Sequence, residues 1–161
     1  MGADNQQERL DANWIVGFTD GEGCFHVAIN RQRLMRMGWQ VLPEFRVVQH
    51  RKDERILNLI RSYFGFGTVN VNNGDRLEFR VRGMSNLMEL VRFFRAHPLR
   101  TRKRFEFERF AVVLQIMREQ KHLTEKGLAQ IARIALSMNR KRNSSASRIL
   151  RDCTQNTAKR R

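Results

Sequence analysis

Two acids in a glycine-rich setting are the first residues able to do chemistry. Asp20 and Glu22 lie in the run Gly17-Phe18-Thr19-Asp20-Gly21-Glu22-Gly23. Residues 11–20 predict a short helix that Asp11 or Asn13 can cap, with Trp14, Ile15 and Phe18 as apolar bulk and Gly21 and Gly23 to end it. Both acids therefore fall at a helix C-terminus, where carbonyl dipoles already concentrate negative charge. The chain has few acids to spend: 161 residues carry 31 Lys+Arg against 16 Asp+Glu, a formal net charge of +15. A divalent cation would reconcile acids with that position, because Mg²⁺ takes carboxylates, carbonyls, waters and the phosphate oxygens of a substrate. The alternative is that Asp20 bonds loop amides and Glu22 points to solvent. The residues by themselves leave both open.

The elements that must position these acids follow from periodicity. Residues 24–32 and about 40–49 alternate apolar and polar, as strands do, around a turn at 33–38. Pro43 restricts its part of the second strand to an edge or a bulge. Asp53 to Phe64 has helical spacing and stops at Gly65. A second hairpin, 68–72 with 76–82, surrounds Asn73-Gly74, a two-residue turn signal. Helices are expected over 86–96 with Ser85 as cap, over about 103–121, and from 124 or 125 to about 138. Residues 139–161 carry eight Lys/Arg and one Asp, and are expected to be mobile or to order only on a polyanion. The order predicts an α+β domain over 1–138, an αββαββα core in which helices back one face of a four-stranded antiparallel sheet.

The other face of that sheet cannot be core. It presents His26, Ala28, Asn30, Gln32, Gln40, Arg46, Asn70, Asn72, Arg76, Glu78, Arg80 and Arg82. Arg pairs bidentately with guanine, Asn and Gln with adenine, and Glu accepts from cytosine. An ordinary solvated face mixes Lys, Glu and Thr; this one holds Arg, Asn and Gln with no Lys. It also has few stacking aromatics, which counts against binding single-stranded RNA by base stacking.

Composition narrows the class further. An apolar fraction of 41% with 11 Phe supports a core and argues against a disordered basic tail protein. No apolar run approaches the length of a membrane span. The polar N-terminus has neither signal nor transit character, and two cysteines, Cys24 and Cys153, build neither a disulfide framework nor a zinc site. These features predict a soluble domain of a reducing compartment that seeks nucleic acid.

Trp14 to Gly23 resembles the signature helix of the LAGLIDADG homing endonucleases. Two further landmarks resemble the same family in the same order: Gln49-His50 followed by Leu57 to Gly67 with its Phe-Gly-Phe-Gly ending, and the basic stretch His97 to Arg104 before a long helix. Together they cover roughly residues 11–120.

The chain has one signature motif, and the resemblance implies a homodimer that cuts a long, near-palindromic double-stranded DNA site. Gly17 and Gly21, four apart on one face, would let two signature helices cross closely, with Trp14 and Phe18 beside them. Glu22 and its symmetry mate, helped by the Gly21 carbonyl, would hold divalent metal: Mg²⁺, with Ca²⁺ or Mn²⁺ as substitutes in vitro. Each subunit would cut one strand across the minor groove and leave 3′ overhangs. Asp20 would be a structural cap. Gln49 matches the family's water-ordering residue, and Arg102 or Lys103 its basic residue near the scissile phosphate. Arg is not deprotonated at working pH, so a proton-transfer role would fall to Lys103 or to water. The resemblance also includes maturases, which would add intron RNA as a partner, and non-cutting DNA binders, which would be expected to lose Glu22. It implies action at DNA inside a prokaryote or an organelle, with no secretion and no membrane.

Overall fold

The computed structural model describes residues 9–138 and 144–159. Helix α1 (Ala12–Glu22) begins at Asp11, whose Oδ1 accepts from the Trp14 amide at 2.8 Å. It does not stop at Gly21. It runs on through Asp20, Gly21 and Glu22, and ends at Gly23, whose N–H donates to the Thr19 carbonyl. Strand β1 (Gly23–Arg31) starts on that same residue. A Cβ at Gly23 would stand 2.6 Å from Thr19 Cγ2 and 2.8 Å from Thr19 O, so a helix-to-strand change without a loop needs glycine here.

Strand β1 buries Phe25, Val27 and Ile29, and strand β2 (Trp39–His50) buries Trp39, Val41, Phe45 and Val47. Helix α2 (Glu54–Phe64) follows and is closed by Gly65 in the left-handed conformation. Strands β3 (Thr68–Asn73) and β4 (Arg76–Val81) form the second hairpin. Its turn residues are Gly74-Asp75, one later than expected, because Gly74 takes the positive φ of +55° at the first turn position. The sheet order is β1-β2-β4-β3, with β4 antiparallel to both neighbours. Pairing of β2 with β4 begins at Phe45, two residues past Pro43, so the missing proline N–H interrupts no bond of that ladder.

Helix α3 (Met84–Ala96) is preceded by Gly83 at φ +85°, so it starts two residues earlier than a Ser85 cap would have set. Helix α4 (Lys103–Arg118) and α5 (Glu125–Met138) match their expected places. Helix α6 (Ser144–Lys159) falls in the segment expected to be mobile. It packs on α5 with Ala146 and Ile149 buried.

The expected single domain divides into two compact units. One joins residues up to 24 with 45–104; its core is aromatic, with Phe45 6.0 Å from Phe94 and 6.5 Å from Phe79. The other joins 25–44 with the described residues from 105 on, where Phe25 lies 5.5 Å from Phe107 and 5.4 Å from Phe110, one helical turn apart on α4. Both are ordinary spacings for offset ring pairs, which add to the area they bury. Among the described residues no helix is long and apolar enough to cross a membrane. Neither Cys24 nor Cys153 is part of a disulfide among the described residues.

Candidate active site and nucleic-acid interface

The two acids of α1 part company. Asp20 Oδ2 accepts from the Arg100 amide at 2.8 Å, and Oδ1 accepts from the Thr101 amide at 3.1 Å and the Thr101 hydroxyl at 2.7 Å. Burial alone would raise its carboxyl, but these three donors and the charge of Lys103 hold it below the ordinary Asp value. Asp20 is therefore a structural acceptor tying the end of α1 to the segment before α4. Glu22 is exposed and stands on the last residue of α1.

Glu22 with the exposed Gly21 backbone offers only oxygen donors, which suits a hard cation such as Mg²⁺ or Ca²⁺. No group of three or more His, Cys, Asp or Glu gathers among the described residues. Two oxygen donors are fewer than a hard cation takes, so by themselves they would make only part of a coordination shell.

The other expected site residues converge on the same end of this unit. The Asp20 bonds bring Arg100 and Thr101 to α1 across 80 residues, and Arg102 and Lys103 follow directly. Arg102 is exposed; Lys103 opens α4 and is half-buried. Gln49 is half-buried and pairs with Leu77, which puts it on the core side of β2 rather than the polar side. It lies at the last turn of β2, the end of the sheet at which α1 delivers Glu22 into β1.

The polar face holds most of its expected members, with one correction. Registers align Arg46 with Arg80 and Thr68, Val48 with Glu78 and Asn70, and His50 with Arg76. Glu78 is 1% exposed. It is ion-paired with Arg80 and accepts from Asn72 Nδ2 at 2.7 Å. Its carboxylate is consumed inside the protein and is not open to a cytosine. Asn72 lies within a register irregularity at 71–73. Asn70 donates to Thr68 at 2.8 Å. Thr68, Val48 and His50 share the face and were missed, because they do not look like base readers; only the register puts them there. Arg80, Arg82, Thr68, Asn70 and Asn86 line an open cavity of about 560 Å³. In the other unit, Asn30 is exposed and His26, Ala28, Gln32 and Gln40 are half-buried, in antiphase with the buried residues of β1 and β2.

Opposite the buried Ile15, Val16 and Thr19, helix α1 presents Trp14, Gly17, Phe18 and Gly21 as one stripe. The Trp14 and Phe18 rings stack at 4.6 Å. Gly17 and Gly21 are exposed, and a Cβ at either would meet nothing within 4 Å. Helix glycine is unfavourable by about 1 kcal/mol against Ala, and no contact among the described residues requires it at these two positions.

The profile of the LAGLIDADG endonucleases matches residues 15–114, from the middle of α1 into α4. The chain belongs to the LAGLIDADG endonuclease family. Among solved LAGLIDADG structures, the homing endonuclease I-TnaI is similar at 44% identity and a TM-score of 0.87, covering 91% of this chain and 99% of that one. I-SmaMI, solved bound to an uncleaved DNA target with calcium ions, is similar at 27% identity and a TM-score of 0.86. That match covers 90% of this chain and 50% of I-SmaMI. A protein encoded in ND4 intron 1 of Podospora anserina is 34% identical over 118 residues, 72% of this chain. The chain spans about a quarter of that relative's length, 26%.

Proposed function

We propose that the chain is a site-specific double-stranded DNA endonuclease that works as a homodimer with Mg²⁺. The observation that carries this reading is the division of labour on α1: Asp20 is engaged by three backbone and hydroxyl donors, while Glu22 stands exposed at the helix end beside an open glycine stripe. Two copies joined on that stripe would bring two Glu22 carboxylates to a two-fold axis. The half-length match to a DNA-bound relative supports the same arithmetic, since one copy of this chain fills half of it.

Glu22 and the Gly21 carbonyl would hold the cation, which when bound supplies Lewis acidity for phosphodiester hydrolysis. Gln49 would order water at the end of β2. Arg102 and Lys103 would face the scissile phosphate, with Lys103 the one able to exchange a proton. The rows of Arg, Asn and Thr on β2, β3 and β4 would read base edges, with His26, Ala28, Asn30, Gln32 and Gln40 on the first hairpin doing the same. Intron RNA would be a second partner if the chain also served splicing. Relatives encoded in fungal introns support a site of action wherever such an intron resides.

Selection from a randomised duplex library in Mg²⁺, sequencing bound and cut molecules separately, tests this. The expected result is one near-palindromic site cut on both strands. Glu22→Gln should bind that site and cut it at least ~100-fold more slowly, the scale of losing one electrostatic stabiliser. Normal cutting by Glu22→Gln would overturn the metal assignment, and a bound site that is never cut would leave a DNA binder.

A further inference from the structure

The Thr101 hydroxyl makes two bonds of opposite sense. It donates to Asp20 Oδ1 at 2.7 Å and accepts from the Lys103 amide at 3.2 Å. A hydroxyl has one proton and two lone pairs. A carboxylate accepts only, so the proton must point to Asp20, and a lone pair is left for the amide. The Lys103 N–H belongs to the first turn of α4, where amides have no partner within the helix. One side chain therefore satisfies an orphan amide of α4 and grips an acid of α1 at once. The Asp20 carboxylate is held in turn by the amides of Arg100 and Thr101. The chain of bonds runs Asp20 to Thr101 to Lys103, from an acid two residues before Glu22 to the first residue of α4.

We propose that Thr101 is a positioning residue, which indexes Lys103 to the helix end that carries Glu22 so that the basic side chain and the metal-holding acid keep one register. This rests on the endonuclease reading above. Thr101 touches neither DNA nor cation in this role; it acts through the place it gives Lys103. The two backbone bonds to Asp20 hold residues 100 and 101 but not the start of α4 itself, and misplacement of a catalytic group by about 1 Å can slow a reaction ~100-fold.

The test uses the full chain with Thr101→Val, which keeps the shape and removes the hydroxyl, and Thr101→Ser, which keeps the hydroxyl. Thr101→Val should slow single-turnover cleavage roughly 10- to 100-fold with DNA affinity in Ca²⁺ unchanged, and Thr101→Ser should restore most of the rate. The loss should vanish in a Lys103→Met background, where there is no ammonium to misplace. Multiplication of the two losses, or equal losses with valine and serine, would overturn the proposal. Amide exchange provides a second readout that needs no cleavage: the Lys103 amide should exchange faster in Thr101→Val. Unchanged exchange would overturn the linkage by itself. If the wild-type chain binds DNA without cutting it, the endonuclease reading fails, and the positioning role proposed for Thr101 fails with it. The exchange measurement would still decide whether the bridge exists.

Discussion

Arg80 and Glu78 lie two apart on β4, and the pair shows how one carboxylate changes the meaning of a recognition face. In the sequence both read as base contacts. In the fold Glu78 is 1% exposed, ion-paired with Arg80 and hydrogen-bonded by Asn72. Removing one partner of a buried pair leaves an uncompensated charge and costs about 3 kcal/mol or more. Arg80→Ala should therefore lower stability by about 3 kcal/mol in urea titration, reduced by whatever Asn72 still supplies. The double variant Arg80→Ala with Glu78→Gln should recover much of that loss, since no charge is left behind. If Arg80→Ala were as stable as wild type and only broadened the bases accepted at one position, Arg80 would be a reader first and a structural partner second. Alternation identifies which residues leave the core, but it cannot say which of them pair with each other.

At the scale of elements, α6 is where expectation and structure diverge most. The segment from 139 on reads as a charged tail because its basic residues dominate its composition. Ala146, Ile149, Leu150 and Cys153 nevertheless follow helical spacing. Ala146 and Ile149 are buried where α6 meets α5, and α5 offers small residues such as Ala132 and Ala135 on its own buried face. The signal was present and short; the partner helix gives it a use. Ile149→Ala should destabilise the fold by about 2–4 kcal/mol, the usual range for truncating a buried isoleucine, and thermal unfolding would read it. An unchanged Tm would return α6 to the status of a surface appendage. The same logic explains α1. Glycines that read as helix stops lie inside or at the very end of the helix, because β1 begins without a connecting loop.

At the scale of the whole molecule, the open stripe on α1 makes the assembly testable. A Cβ at Gly17 would meet nothing within 4 Å. Helix propensity alone favours Gly17→Leu by about 0.7 kcal/mol. Sedimentation of the wild type should give twice the 19.1 kDa of one chain, and Gly17→Leu should sediment as a single chain with undiminished far-ultraviolet helix signal. Loss of the dimer together with loss of folding would instead assign Gly17 a structural part in the protomer. A wild type that sediments as one chain at the concentrations needed for DNA binding would remove the two-fold arrangement of Glu22.

The sequence by itself determined the local patterns: the alternation of β1, β2 and β4, the helices from α2 to α5, the α1 stripe of Trp14, Gly17, Phe18 and Gly21, and the surplus of positive charge. These depend on neighbours a few residues apart, and periods of two and 3.6 report them directly. It left the choice between metal and hydrogen bonding for Asp20 and Glu22 open, because the residues that decide it are 80 positions away. Only the tertiary structure brought Arg100 and Thr101 to Asp20, buried Glu78 and gave α6 a helix to lie on. Each of those is set by which distant surfaces exclude water together, and no local period carries that information.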